Sequence, residues 1–300
     1  MKSFLKRLFL FFFIMTLATC GMFMALGWAE SVAKGATART RYIYTSMNEK
    51  CVVLGSSRAL HHYDPAIMAP VTECSVYNCG EDRMGIIFNY GRMMLVKERY
   101  MPDIIVYDVE PDYDLLYGDN SVYLSQLRPY TGHESIRRLF ADVDPSENIK
   151  MLMLPYRLNN RVLQVTKDCT SGAETFYNGY SPYIGRMTAL HKENLPQDHY
   201  DDTKWRYIGE LVKLCGHRTK LVFTASPQLS YGNDSVYAPL KEMCRRHGIP
   251  FLNHFCDTAF TNHHELFHNA NHLERRGAEI YSKIIAREIK QTLAIPCQRQ

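Results

Sequence analysis

The sequence predicts an α/β fold in which a doubly wound parallel sheet of about five strands is covered by helices on both faces. Three observations carry this. Short apolar runs lie at 51–54, 75–78, 103–109, 220–226 and 250–254. Stretches with apolar residues at helical spacing separate them, at 83–99, 201–215 and 234–246, and another closes the chain at 274–293. The third run reads IIVYDV, which is too continuously apolar for a strand with one wet face and fits the interior of a parallel sheet.

Composition sets the frame. Hydrophobic residues make up 46% of the 300 and charged residues 22%, so the chain can bury a core instead of staying disordered. The formal net charge is +4, but Lys2, Lys6 and Arg7 precede an apolar segment, and the remainder holds 32 basic against 31 acidic residues. That balance argues against a broad nucleic-acid surface. The nine cysteines contain no C-x-x-C pair, so neither a zinc ribbon nor a thioredoxin-like centre is signalled. Nothing calls for a cofactor.

Residues 8–28 carry no charge over 21 positions. As a helix they would reach about 31 Å, enough to cross a bilayer, and the basic residues ahead of them favour a cytoplasmic N-terminus. Gly27-Trp28-Ala29 would suit a signal peptidase, but the apolar run exceeds the usual signal-peptide core of about 7–15 residues. Residues 1–29 are therefore read as an uncleaved anchor, 30–50 as a connector and 51–295 as an extracytoplasmic domain. Secretion after signal cleavage is the alternative.

The elements follow in order. Gly55 ends the first strand and permits a turn that most residues cannot make. Asp64-Pro65 could open one helical turn. The second strand ends at Asn78-Cys79-Gly80, and the 83–99 helix has Gly91 as its weak point. Residues 118–200 read as an insertion. It has helical patterns at 135–140 and 147–165, the latter divided by Pro155, and an aromatic, turn-rich loop at 177–183 suited to a lid or substrate-shaping role. Asp202 is a plausible cap for the 201–215 helix, which Gly216 ends. Pro227 stops the fourth strand and Gly248 ends the 234–246 helix.

The chemistry-bearing stretch is VVLGSSRALHHYDP, residues 52–65. An apolar strand ending in Gly55-Ser56-Ser57 would deliver a serine hydroxyl to the carboxyl edge of the sheet, where ligands of such folds sit. Serine needs a base, and His272, in the loop before the last helix, is the candidate. His254, His263, His264 and His268 crowd the same region. They raise the question of zinc, but no ligand set with helical spacing and a carboxylate partner is evident, so no metal is assigned.

Gly55-Ser56-Ser57 after the first strand, Asn78-x-Gly80 after the second, and N-x-x-H-L-x-x-x-G-A before the last helix together resemble the SGNH/GDSL hydrolase superfamily. The likeness is to its secreted or membrane-anchored bacterial branches with a G-S-S motif. The resemblance implies a flavodoxin-like three-layer sandwich and a serine-histidine-acid site acting on esters. It makes Ser57 the nucleophile, His272 the base, and Asn269 the residue at the acid position, three before the histidine. It places the oxyanion hole at the backbone of Ser57 and of the loop holding Gly80 and Arg83. Arg58, Asn78 and Glu110 are substrate-binding candidates at neighbouring strand ends. Where the family supplies an oxyanion-donating Asn after the third strand, Glu110-Pro111-Asp112 stands instead. With Asn269 uncharged, a Ser57–His272 dyad, or Asp257 or Glu265 as orienter, would have to suffice.

The expected function is an exported serine esterase or O-acyltransferase. Its substrate is an acyl ester, with an envelope or extracellular glycan expected from the compartment, and the N-terminal helix meets the membrane. The alternative is an impaired relative that binds glycan or an envelope-assembly partner in the same cleft.

Overall fold

The structure is a computed structural model and describes residues 2–158, 161–170, 173–185, 199–230 and 232–294. Cys297 and positions 186–198 of the expected insertion lie outside the described residues. The chain divides into two compact units, residues 1–46 with 154–176, and residues 47–153 with 177–300.

The larger unit is built on five strands, β1 (Cys51–Gly55), β2 (Val76–Asn78), β3 (Ile104–Asp108), β4 (Lys220–Ala225) and β5 (Phe251–Asn253). All pair in parallel, in the order β2-β1-β3-β4-β5, the flavodoxin-like order, which reverses direction between β1 and β3. Every residue of β1 is buried. Alternate strand residues point to opposite faces, so both faces are covered. On one face Val53, Val106 and Val222 join Ala59, Met68, Tyr281, Ile285 and Ile289 in a single apolar cluster. Those residues come from α3 (Ser57–His62), α4 (Pro65–Thr72) and the C-terminal helix Arg275–Ala294. On the other side α5 (Ile86–Lys97) packs against β1 and the helix Asp202–Cys215 against β4.

Several boundaries differ from the sequence reading for local reasons. The cap of the Asp202–Cys215 helix is Asp201, whose carboxylate accepts the Lys204 N–H at 3.0 Å. The 147–165 pattern resolves into Pro145–Lys150, Leu154–Leu158 and Arg161–Asp168. Pro145 suits a first helical position, and Pro155 falls at the start of the second piece. The 234–246 pattern begins as a 3-10 turn, Ser235–Tyr237, before the α-helix Ala238–His247. A 3-10 segment, Asn120–Tyr130, lies where no element was read. Gly91 lies within α5, where a Cβ would meet Leu127 at 2.6 Å and the glycine allows that approach.

In the smaller unit, α1 (Lys2–Val32) is long and apolar enough to cross a membrane, as an anchor or a signal sequence. The stretch read as a connector carries α2 (Gly35–Thr45).

Candidate active site

The site begins at the end of β1. Gly55 has φ +140°, and a Cβ there would lie 2.6 Å from the Asp108 carbonyl oxygen and 2.9 Å from the Ala59 Cβ. Only glycine lets the strand turn here. Ser56 is extended, and Ser57 opens α3, so the strand hands the serine directly to the first turn of a helix. The loop after β2 lies against that helix. A Cβ on Gly80 would be 2.3 Å from the Leu60 nitrogen.

The second half is the loop before the C-terminal helix. Phe267 and Leu273 bridge antiparallel, and the His268 and Asn269 N–H groups donate to the His272 carbonyl at 2.8 and 3.3 Å. The Asn269 side chain closes the turn from inside. Its Oδ1 accepts the N–H groups of Asn271 at 2.9 Å and His272 at 3.0 Å, and faces His272 Nδ1 at 2.9 Å. Two backbone donors converge on that atom, so it is the carboxamide oxygen and not the nitrogen. An oxygen facing Nδ1 assigns the proton to Nδ1 and leaves the lone pair on Nε2. Nε2 lies 2.8 Å from Ser57 Oγ. Burial, reinforced by the neighbouring His61 and Arg58 and opposed by Asp82, pushes the His272 imidazole down to about 3. It is a neutral base over the ordinary pH range.

The histidines around it are engaged in their own ways. His61 sits one turn after Ser57 on α3, bonded to the Ser181 carbonyl and facing Asp82 at 3.1 Å. Its ring lies 3.9 Å from that of Tyr183 and 5.9 Å from that of His272. Tyr183 stacks on His268 at 4.4 Å and meets His272 at 5.2 Å. The aromatic loop of the insertion thus supplies one wall of the site. His62 is fully buried and kept neutral by burial, then by His272 and Arg58. Its Nε2 accepts the Leu273 N–H at 2.9 Å, so its Nδ1 donates to Ser226 Oγ at 3.0 Å, which donates to Asp108 at 2.9 Å. The last residue of α3 therefore holds the residue after His272.

Other candidates turn inward. Arg58 is buried. Its guanidinium donates to the Val109 carbonyl at 2.7 Å and lies 3.7 Å from Glu110 and 3.9 Å from Asp108. Burial works against its charge, but Tyr237, Glu110 and Asp108 outweigh that and hold it protonated. Glu110 accepts a hydrogen bond from Ser56. Asn78 is wholly buried. It donates to the Ala59 and Tyr63 carbonyls at 2.7 and 2.8 Å and accepts the Gly80 N–H at 2.8 Å. Arg58, Glu110 and Asn78 are thus engaged within the protein, and the Gly80 N–H already donates to the Asn78 side chain. Arg83 is exposed, with φ +60°. Asp257 caps a short helix and bonds His254, and Glu265 pairs with His263, so neither orients His272. His61 and His62 were missed as site residues, although Ser57 and His61 stand one helical turn apart.

Among solved structures, one similar to this chain is a Bacteroides fragilis NCTC 9343 protein provisionally named an acylhydrolase. The likeness covers 84% of this chain and 96% of that one, with 12% sequence identity and a TM-score of 0.42. No family model matches the chain, and no curated protein does.

Proposed function

We propose that the larger unit is a serine ester hydrolase or O-acyltransferase of SGNH type, working outside the cytoplasm on acyl esters of envelope or extracellular glycans. One observation carries the reading. A neutral histidine whose Nε2 meets no other partner among the described residues lies 2.8 Å from a serine hydroxyl at a strand's carboxyl end.

The chemistry follows from those atoms. Ser57 Oγ attacks the ester carbonyl while His272 Nε2 takes the hydroxyl proton. The oxyanion is met by the Ser57 N–H, in the first turn of α3, where N–H groups have no helical carbonyl to bond. His272 then returns its proton to the leaving alkoxide. Water, or a second hydroxyl in the transferase case, attacks the acyl-serine and restores the enzyme. Asn269 cannot stabilise the imidazolium by charge. In serine proteases, replacing the acid by Asn costs about 10⁴ in rate, partly through a wrong tautomer. Here the backbone donors on Asn269 Oδ1 keep the tautomer right, so only the electrostatic part of that cost applies.

The alternative, a binding protein that has lost turnover, draws support from the occupied Gly80 N–H and the uncharged Asn269. Hydrolysis of a short-chain aryl ester separates the two. The proposed enzyme turns it over, and Ser57→Ala abolishes this. Equal activity in that variant removes Ser57 from the mechanism.

A further inference from the structure

The smaller unit carries features that the ester chemistry does not use. α1 exposes apolar side chains along its length, among them Phe9, Phe11, Phe12, Leu17, Met24 and Trp28. Its C-terminal end is not bare. Phe23, Leu26 and Ala29 pack against Leu158 and Val165, and the Arg157 guanidinium lies over the Phe23 ring at 5.8 Å. Arg161 bonds Glu30, with one contact at 2.6 Å. The Lys34 N–H donates to the Asp168 carbonyl at 3.0 Å, and Thr37 donates to the Asp168 carboxylate through its N–H at 2.8 Å and its hydroxyl at 2.7 Å. The helix Arg161–Asp168 is thereby fixed at one height beside the last turns of α1.

That height matters. Trp28 is 70% exposed on α1, and tryptophan of this kind favours the boundary between hydrocarbon and headgroups. Leu26 and Phe23 lie two and five residues nearer the N-terminus, about 3 and 7.5 Å deeper at the helical rise. Val165 shares its cluster with Leu26 and Arg161 bonds Glu30, positions on either side of Trp28, so this helix sits at about Trp28's depth. Its inward positions are Arg161, Val165 and Asp168, at helical spacing. Its outward face presents Val162 at 41% exposure and Leu163 at 74%, with Thr166 and Lys167 beside them. Two exposed aliphatic side chains flanked by a lysine that can reach up to phosphates describe an interfacial helix.

Charge supports the same occupant. The smaller unit holds nine basic and three acidic residues, and the rest of the chain 26 basic and 28 acidic. Lys2, Lys6 and Arg7 precede the apolar span on its cytoplasmic side, which leaves six basic and three acidic residues of the unit on the side of the helix Arg161–Asp168. Phosphate headgroups are complementary to that excess.

We propose that the helix Arg161–Asp168 lies in the interfacial layer of a phospholipid bilayer beside α1, with Val162 and Leu163 in the acyl-chain boundary. This rests on the anchor reading of α1. The larger unit would then be tethered at two points of the chain, one at the N-terminus and one more than 100 residues later.

The native tryptophans allow a test that separates the inference from the anchor. Full-length protein is reconstituted in phosphatidylcholine vesicles containing phosphatidylglycerol, with bromines on the lipid acyl chains. Wild-type protein reports Trp28 and Trp205, the Trp28→Phe variant reports Trp205 alone, and Trp28→Phe with Leu163→Trp reports the helix. The expected result is a loss of emission in the last protein well beyond that of Trp28→Phe, stronger with bromines near the headgroup end than near the methyl end. Quenching of Trp28 in wild type without any from the indole introduced at 163 overturns the inference and leaves the anchor standing. Absence of quenching at both positions overturns both.

Discussion

Asn269 is the residue on which the rate of the proposed reaction turns. Its oxygen orients His272 through Nδ1 but offers no negative charge to the imidazolium. With the imidazole pushed down to about 3, the acid limb of a pH–rate profile should lie well below the ordinary histidine range near 6.5. Asn269→Asp places an anion against Nδ1 and favours the protonated ring. The limb should therefore move to higher pH, and turnover near neutrality should rise, as measured by kcat and kcat/KM for aryl ester hydrolysis across pH. An unchanged limb would mean that Asn269 does not govern His272. The same residue shows what sequence could and could not disclose. The family resemblance named both partners through the N-x-x-H pattern, and the turn between them brings Asn269 Oδ1 against His272 Nδ1. Arg58, Asn78 and Gly80 stand at equally suggestive strand ends but face inward. Which way a polar side chain turns there depends on what packs above it, and no local pattern encodes that.

At the scale of elements, α3 joins the two halves of the site. Ser57 is its first residue and His62 its last, and His62 accepts the Leu273 N–H next to His272. His62→Leu would leave that N–H without its buried acceptor, while the Ser226 hydroxyl keeps Asp108. At about 1–3 kcal/mol for an unsatisfied buried group, a loss of about 1–3 kcal/mol is expected in chemical unfolding, together with a fall in kcat. A second clasp lies at the far end of the sheet. His254, after β5, faces Asp257 at 2.8 Å and Glu288 of the C-terminal helix at 2.8 Å. Burial opposes its protonation, but the two carboxylates outweigh that and raise its pKa. A histidine raised in the folded state contributes stability that is fully present below its unfolded value, near 6.5, and is lost as pH rises through the folded value. His254→Asn should therefore cost more stability at pH near 6 than at pH near 9, by denaturant midpoint. Equal costs would remove the clasp. Element types were legible because β1 and β3 are continuously apolar and the helices carry clean stripes. Caps and short helices were less so, since Asp201 and Asp202 offer the same chemistry and only the backbone geometry chooses between them.

For the whole molecule, the membrane reading predicts where the protein is found. α1 with its apolar span should keep the full chain with the membrane fraction after an alkaline carbonate wash. Release into the supernatant would favour a cleaved signal. The strand order β2-β1-β3-β4-β5 sets Ser57 at the switch between β1 and β3, the end of the sheet at which ligands of such folds bind. That order follows from pairings far apart in sequence and could be expected only through the family resemblance. The aromatic neighbours of His272 come from still further away, with Tyr183 from the 177–185 loop and His268 from the loop before the last helix.

The span of α3 has one more consequence. Ser57 and His62 are separated by five residues of helix, a translation of about 7.5 Å along its axis. One residue added or removed between them would turn His62 by about 100° away from Leu273 while leaving the composition of the segment almost untouched. Relatives that keep this site should therefore keep the number of residues between Ser57 and His62, with a small residue at Ala59, which packs beside Gly55 and Gly80. The segment acts as a spacer of fixed length.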